Sequence, residues 1–171
     1  MNILAINYAP LSLDNAGSAT IKCELSFGGY DPPFDLKGKT VLDIGATCGE
    51  VAYYYIKKFH ADKVICVECD PKRLPYLKTN AVALDGRIVV VPEPFSLKHL
   101  EDFNYDFIKC DVEGYEMLLI DYLHRHHQLA PTVLEAHTNW IKDQFLQWGF
   151  HITQPLCTEL AFVATYLMRN Y

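Results

Sequence analysis

The acids best placed to do chemistry in this sequence are Asp111 and Glu113, two positions apart in the stretch DFIKCDVEGYE (106–116). Phe107 and Ile108 start the stretch like a buried strand. Lys109, Asp111, Glu113 and Glu116 then add charges that an interior tolerates only when they are paired or used. If residues 107–113 run extended, the two-residue period of a strand puts Phe107, Lys109, Asp111 and Glu113 on one side. Glu135 and His137 share a side of the following apolar segment, APTVLEAH, by the same rule. Where those sides converge, carboxylates and an imidazole form a cluster. It could serve as a general base with its orienting groups or as a divalent-metal site, since Asp, Glu and His all ligate metals. Lys109 is expected to pair structurally with a neighbouring carboxylate. Cys110 points the opposite way, into the core, and Glu116 suits the first turn of a helix.

A second set of residues has the types that hold a ligand. VLDIGATCGE (41–50) ends a strand at Asp43 and turns through Gly45, Ala46 and Thr47 to Gly49 before a helix begins. The glycines permit a close backbone approach. An acid ahead of them disfavours a pyrophosphate and favours a ligand with a cationic end, such as the amine and sulfonium of S-adenosylmethionine. A tight strand-to-helix turn without a ligand explains the same residues. The next strand ends at Glu68, followed by Cys69, where an acid can accept the ribose hydroxyls of an adenosine. Glu93, after the third strand, stands where an adenine contact could form, although a simple loop explains it equally well.

These residues need a scaffold that brings strand ends to one edge. From residue 40 the chain alternates strand-like and helix-like segments: TVLDIG, KVICVE, RIVVVPE, YDFIKCD and APTVLEAH as strands, with helices after Gly49, through Leu74–Leu84, over GYEMLLIDYLHRH and over NWIKDQFLQWG. FHITQ and ELAFVATYLM read as last strands, the final one apolar on both faces and hence interior to the sheet. The prediction is an α/β fold, Rossmann-like and doubly wound. Its sheet is mostly parallel, of about seven strands, with helices on both faces. Right-handed crossovers then place every strand-to-helix turn on one edge. Residues 1–35 break the rhythm. MNILAINY and TIKCELSF look like strands, and the segment is expected to be an N-terminal appendage that packs on the domain or covers its site. The whole, 1–171, is expected to be one domain. Tyr53, Tyr54 and Tyr55 span all faces of a helix, so at least one should be exposed. His124, His126 and His127 suit an exposed helix C-terminus.

The 171 residues suffice for one domain with a real core. A net charge of −6 argues against broad nucleic-acid binding, which needs a basic footprint. No apolar run is long enough for a membrane span, and no basic segment precedes the first apolar residues as in a secretory signal. Six cysteines in a chain of this length, several inside apolar runs, read as reduced thiols of a cytoplasmic protein.

VLDIGATCGE, VICVECDP and DFIKCDVEGYE together resemble the FkbM-type branch of S-adenosylmethionine-dependent methyltransferases. The I-K-x-D-x-E-G-x-E pattern of that family is met from Ile108 to Glu116, and Leu134–His137 is similar to its fifth strand. The resemblance runs from about residue 36 to residue 150; the family turn often has Asn where Thr47 stands. It implies a class I methyltransferase fold, S-adenosylmethionine as cofactor, and methylation of a hydroxyl on a small molecule or sugar. Asp43, Gly45, Ala46, Thr47, Gly49, Glu68, Cys69, Glu93 and Asp111 would then hold the cofactor. Asp111 and Glu113 would face the reaction, helped by Glu135 and His137. Two rivals stand beside this reading. One is a tRNA or other RNA methyltransferase, opposed by the acidic balance and by C-D-V-E-G where an N-P-P-Y-type motif would stand. The other is a cofactor-binding or interaction module without turnover. A homodimer could supply a missing wall of the acceptor site.

Overall fold

The structure, a computed structural model, describes residues 11–13, 25, 28–32, 34–112, 114–126, 130–137, 139–147, 151–155 and 162–166. The elements follow in the order β1 (Thr40–Ile44), α1 (Glu50–Lys58), β2 (Lys63–Val67), α2 (Leu74–Ala83), β3 (Ile88–Val91), α3 (Lys98–Asp102), β4 (Phe107–Cys110), α4 (Glu116–His126), β5 (Thr132–Ala136), α5 (Asn139–Gln147), β6 (His151–Pro155) and β7 (Phe162–Tyr166). The seven strands form one sheet in the order β3-β2-β1-β4-β5-β7-β6. The first five pair in parallel, and β7 runs antiparallel between β5 and β6. The sequence-based expectation of a mostly parallel sheet with its last strand in the interior therefore holds. The short helix α3 was not foreseen. Its five residues fall below the length at which periodicity signals a helix.

Strand alternation builds two cores. Val41, Val64, Cys66, Phe107 and Val133 face α1 and α2 on one side of the sheet. Leu42, Ile44, Ile65, Val67, Ile108, Cys110 and Leu134 face α3 and α4 on the other. Burial on both faces is what near-continuous apolar strands require. The chain reverses its direction of winding where β1 lies between β2 and β4, and crevices for ligands open beyond the strand ends at such a point.

Three expectations are corrected. Leu25, the one described residue of TIKCELSF, is helical rather than extended; the rest of that strand and all of MNILAINY lie outside the described residues. Tyr53, Tyr54 and Tyr55 are all buried. The reason is that α1 is covered on its outer side too: the Tyr54 hydroxyl meets the Leu25 carbonyl and the Asp31 carboxylate, and the Tyr55 hydroxyl donates to the Tyr30 carbonyl at 3.0 Å. Finally, β4 ends at Cys110, so the extended run stops short of 113, and Glu113 lies outside the described residues. At the other end of the expected appendage, Ser12 exchanges hydrogen bonds of 2.8 Å with buried Asn80 of α2. Of the histidine-rich stretch, exposed His126 is the last described residue of α4 and its ring stacks on Tyr122, whereas His127 lies outside the described residues. No helix among the described residues is long and apolar enough to cross a membrane.

Candidate active site

Register places the first charges. Asp43 and Lys109 are aligned partners on β1 and β4, so their side chains leave the same face side by side. Both are buried, and Lys109 Nζ lies 3.2 Å from Asp43 Oδ1. The ammonium also donates to the Gly45 carbonyl at 2.8 Å and sits 3.9 Å from Asp111 Oδ2. Lys109 is thus the structural ion-pair partner the sequence suggested, tying the β1 turn to the end of β4. Burial disfavours its charge, but Asp43 and Asp111 outweigh that and hold its pKa above the ordinary value. For Asp43, burial prevails over Lys109 and raises the pKa.

The β1 turn is shaped by close packing. Gly45 has φ +77°, and a Cβ there would come within 1.8 Å of the Asp111 carbonyl. Its glycine is demanded by the neighbouring strand end. Gly49 has φ +90°, and a Cβ would meet Leu77 Cδ1 at 2.9 Å. Thr47 Oγ1 and the Cys48 N–H both donate to Glu50 at the start of α1.

Beyond the strand ends a cleft of about 290 Å³ opens, lined by Gly45, Glu68, Cys69, Glu93, Asp111 and Tyr115 among others. Of the residues expected to hold a cofactor, Gly45, Glu68, Cys69, Glu93 and Asp111 line it. Asp43, Ala46, Thr47 and Gly49 are not among its lining residues; Asp43, Ala46 and Gly49 are buried and Thr47 is half-buried. Glu68 does more than face the cleft. Its Oε1 accepts from the Cys69 and Asp70 N–H groups at 2.8 and 2.7 Å, and its Oε2 from the Thr47 N–H at 2.8 Å. A carboxylate offers about four lone-pair positions, so one on Oε2 is left for a ligand hydroxyl. Arg73 is the basic residue of the lining, set against Glu68, Glu93 and Asp111.

The two strand-end sides anticipated from the sequence do converge. His137 Nε2 lies 3.5 Å from Asp111 Oδ1 and 3.6 Å from Glu135 Oε1. The other ring nitrogen, Nδ1, is 2.7 Å from Glu116 Oε1. A carboxylate can only accept, so Nδ1 carries the proton. That bond is the main cause raising the His137 pKa, to about 9. Burial works against the Glu116 charge, but the bond to His137 and backbone N–H groups prevail and hold its pKa below the usual range. Burial, with Asp111 close by, pushes Glu135 up to about 7.

Tyr30 and Glu116 are members of this cluster that sequence reading did not assign to it. The Tyr30 hydroxyl donates to Glu135 Oε2 at 2.5 Å and lies 3.4 Å from Asp111 Oδ2, while its ring covers the Lys109 ammonium at 5.5 Å. No local signal marks Tyr30, whose loop precedes the β/α rhythm. Glu116 was expected only to favour a helix dipole. Its spacing from Asp111 inside DFIKCDVEGYE was visible, but its partner stands on another strand.

Comparison with known proteins adds the fold. No protein-family model matches the chain. Among solved structures it is similar to precorrin-6y C5,15-methyltransferase from Geobacter metallireducens, with a TM-score of 0.68 at 15% identity over 94% of each chain. It is similar to M. capricolum TrmK in complex with S-adenosylhomocysteine, with a TM-score of 0.61 at 13% identity over 83% of this chain and 66% of that one. It is also similar to Aeropyrum pernix fibrillarin with natively bound S-adenosylmethionine, with a TM-score of 0.56 at 12% identity over 86% of this chain and 72% of that one. The chain has the Rossmann-like fold of class I S-adenosylmethionine-dependent methyltransferases.

Proposed function

We propose that the protein is an S-adenosylmethionine-dependent methyltransferase that methylates a hydroxyl of a small molecule or sugar, within the FkbM-type branch its motifs resemble. The observation that carries this reading is the double position of Asp111. It lines the cleft beyond β1–β3 and also belongs to the cluster with Glu135 and His137. A donor in the cleft and an acceptor over the cluster would therefore meet at one side chain.

The residues present fit the cofactor. Glu68 keeps one lone pair toward the cleft for a ribose hydroxyl, and the carboxylates of Glu68, Glu93 and Asp111 favour a ligand with a cationic end. When bound, S-adenosylmethionine supplies an electrophilic methyl group on its sulfonium. The protein's own part is alignment and exclusion of water. Lys109, through Gly45 and Asp111, fixes the cleft wall against the cluster. Asp111 and Glu135 are carboxylates placed to accept a hydrogen bond from the acceptor hydroxyl, and Glu113 is assigned beside them from the sequence pattern alone. Tyr115, exposed at the rim of the cleft, offers a ring against which a sugar face can pack. Free thiols at Cys66, Cys69 and Cys110 suit a reducing compartment, so we place the protein in the cytoplasm.

Isothermal titration of the folded protein with S-adenosylmethionine and S-adenosylhomocysteine is the first test. Binding of both is expected, with Glu68→Gln weakening it about tenfold, the effect of one lost hydrogen bond to a charged group. A folded protein that binds neither ends this reading. Binding without methyl transfer to any hydroxylated sugar or small molecule favours the non-catalytic module.

A further inference from the structure

We propose that Asp111, Glu135 and His137 form a binding site for one divalent transition-metal ion of the Mn²⁺ or Zn²⁺ class. One donor atom from each side chain converges, the three lying within 4.8 Å of one another; His137 Nε2 is 3.5 Å from Asp111 Oδ1 and 3.6 Å from Glu135 Oε1. The two separations from Nε2, 3.5 and 3.6 Å, are close to the edge of a tetrahedron with bonds of about 2.1 Å, which is roughly 3.4 Å.

The remaining atom of every one of these side chains is held by a group that is not a ligand. His137 Nδ1 donates to Glu116 Oε1. Glu135 Oε2 accepts from the Tyr30 hydroxyl. Asp111 Oδ2 lies near the same hydroxyl and the Lys109 ammonium. An imidazole whose Nδ1–H is fixed by a carboxylate presents Nε2 as a lone pair, and this outer partner is what metal-binding histidines regularly have. Glu116 is itself buried, and its Oε2 meets no hydrogen-bond donor among the described residues. Asp43, Asp111, Glu116 and Glu135 share two cationic partners, Lys109 and His137, and a divalent cation that takes the place of the proton on His137 Nε2 would balance the excess of carboxylates. The imidazole ligand selects against Mg²⁺ and Ca²⁺, which take oxygen donors.

Three protein ligands would leave a coordination position open, and Asp111, one of the three, also lines the cleft. An acceptor hydroxyl bound there would lose its proton more easily. This use of the ion rests on the methyl-transfer reading; the site itself does not.

The test is a titration of the whole protein, stripped with a chelator, against Mn²⁺ followed by loss of the free-ion electron paramagnetic resonance signal, and against Zn²⁺ in competition with a chromogenic chelator. One ion per chain is expected. His137→Gln and Glu135→Gln should each lower affinity by at least tenfold. Glu116→Gln, which keeps all three ligands, should lower it about tenfold, as outer-shell changes do. Asp121→Asn, on the exposed face of α4, should leave it unchanged. Circular dichroism checks that each variant is folded, and Glu116→Gln carries the test if a ligand variant is not. Absence of Mn²⁺ and Zn²⁺ binding by the folded protein, or equal binding by all variants, overturns the site. Binding of Mg²⁺ alone overturns the ion class. S-adenosylmethionine binding, measured on the same stripped sample, separates the two readings: retained cofactor binding with no metal binding sinks only the metal site.

Discussion

Lys109 Nζ and Asp43 Oδ1 lie 3.2 Å apart inside the sheet, on aligned residues of neighbouring parallel strands. Neither Asp43 oxygen meets the geometry of a full hydrogen bond among the described residues, so this ion pair is its one compensation for burial. Removing one partner of such a pair leaves an unpaired charge in the interior, at a cost of about 3–5 kcal/mol. Lys109→Met should therefore destabilise the protein by that order in urea unfolding. Lys109→Met combined with Asp43→Asn should recover part of the loss, because the double change removes both charges. A double variant no more stable than Lys109→Met would mean that the Gly45 carbonyl, which also accepts from Lys109, is the contact that matters.

Gly45 and Gly38 make a matched pair of backbone tests. Both have positive φ, +77° and +76°, but a Cβ at Gly38 would meet nothing within 4 Å, whereas one at Gly45 would strike the Asp111 carbonyl. Gly38→Ala should cost only the left-handed strain, about 1–2 kcal/mol. Gly45→Ala should cost more, since the end of β4 must shift with it, and it should displace Asp111 from the cleft. Thermal melts compare the two. Equal costs would show that the β1 turn yields without disturbing β4.

Much of this arrangement was legible because it is local. Period two within β4 and β5 puts Lys109, Asp111, Glu135 and His137 on definable sides, and the glycines mark where strands end. Whether the β4 and β5 sides converge is left open by the sequence; the parallel pairing of those strands brings Asp111 to Glu135 and His137. Contacts between distant segments were not legible. Tyr30 reaches Glu135 across 105 residues of chain, and nothing in its own neighbourhood encodes that meeting. The same covering segment buries all three tyrosines of α1, which helical periodicity alone would leave partly exposed. Gly45 was read as room for a ligand, yet the atom that excludes a side chain there belongs to Asp111.

Tyr30 is open to a clean test. Tyr30→Phe keeps the ring over Lys109 and removes the hydroxyl that donates to Glu135 Oε2. Leaving a buried acceptor without its donor costs about 1–3 kcal/mol. The expected result is a loss of that order in chemical denaturation, and a smaller loss when Tyr30→Phe is introduced into Glu135→Gln, where the amide presents no charge. Additive losses in the two backgrounds would show that Tyr30 and Glu135 do not act on each other.

Alkaline pH should weaken the fold through buried thiols, phenols and the His137 imidazole. Burial raises the thiol pKa of Cys66 and Cys110 well above the ordinary value, and that of the Tyr55 phenol likewise. Tyr105 is pushed up to about 12, again by burial. A group whose folded pKa is raised binds more protons in the folded state than in the unfolded state once pH passes the unfolded value, so stability falls as pH rises. His137, held up to about 9, adds stability that is full below about pH 6.5 and is lost as pH rises toward 9. The melting temperature should therefore begin to fall in that range and fall further above about pH 8.5, first from the thiols and then from the phenols. Alkylation with iodoacetamide at pH 8 gives a residue-level check by peptide mapping. Exposed Cys69 should be modified in the native protein, whereas buried Cys66 and Cys110 should react only after unfolding. Native labelling of Cys66 at a rate matching Cys69 would mean that the sheet edge around β2 opens, and the alkaline loss of stability would then need another cause.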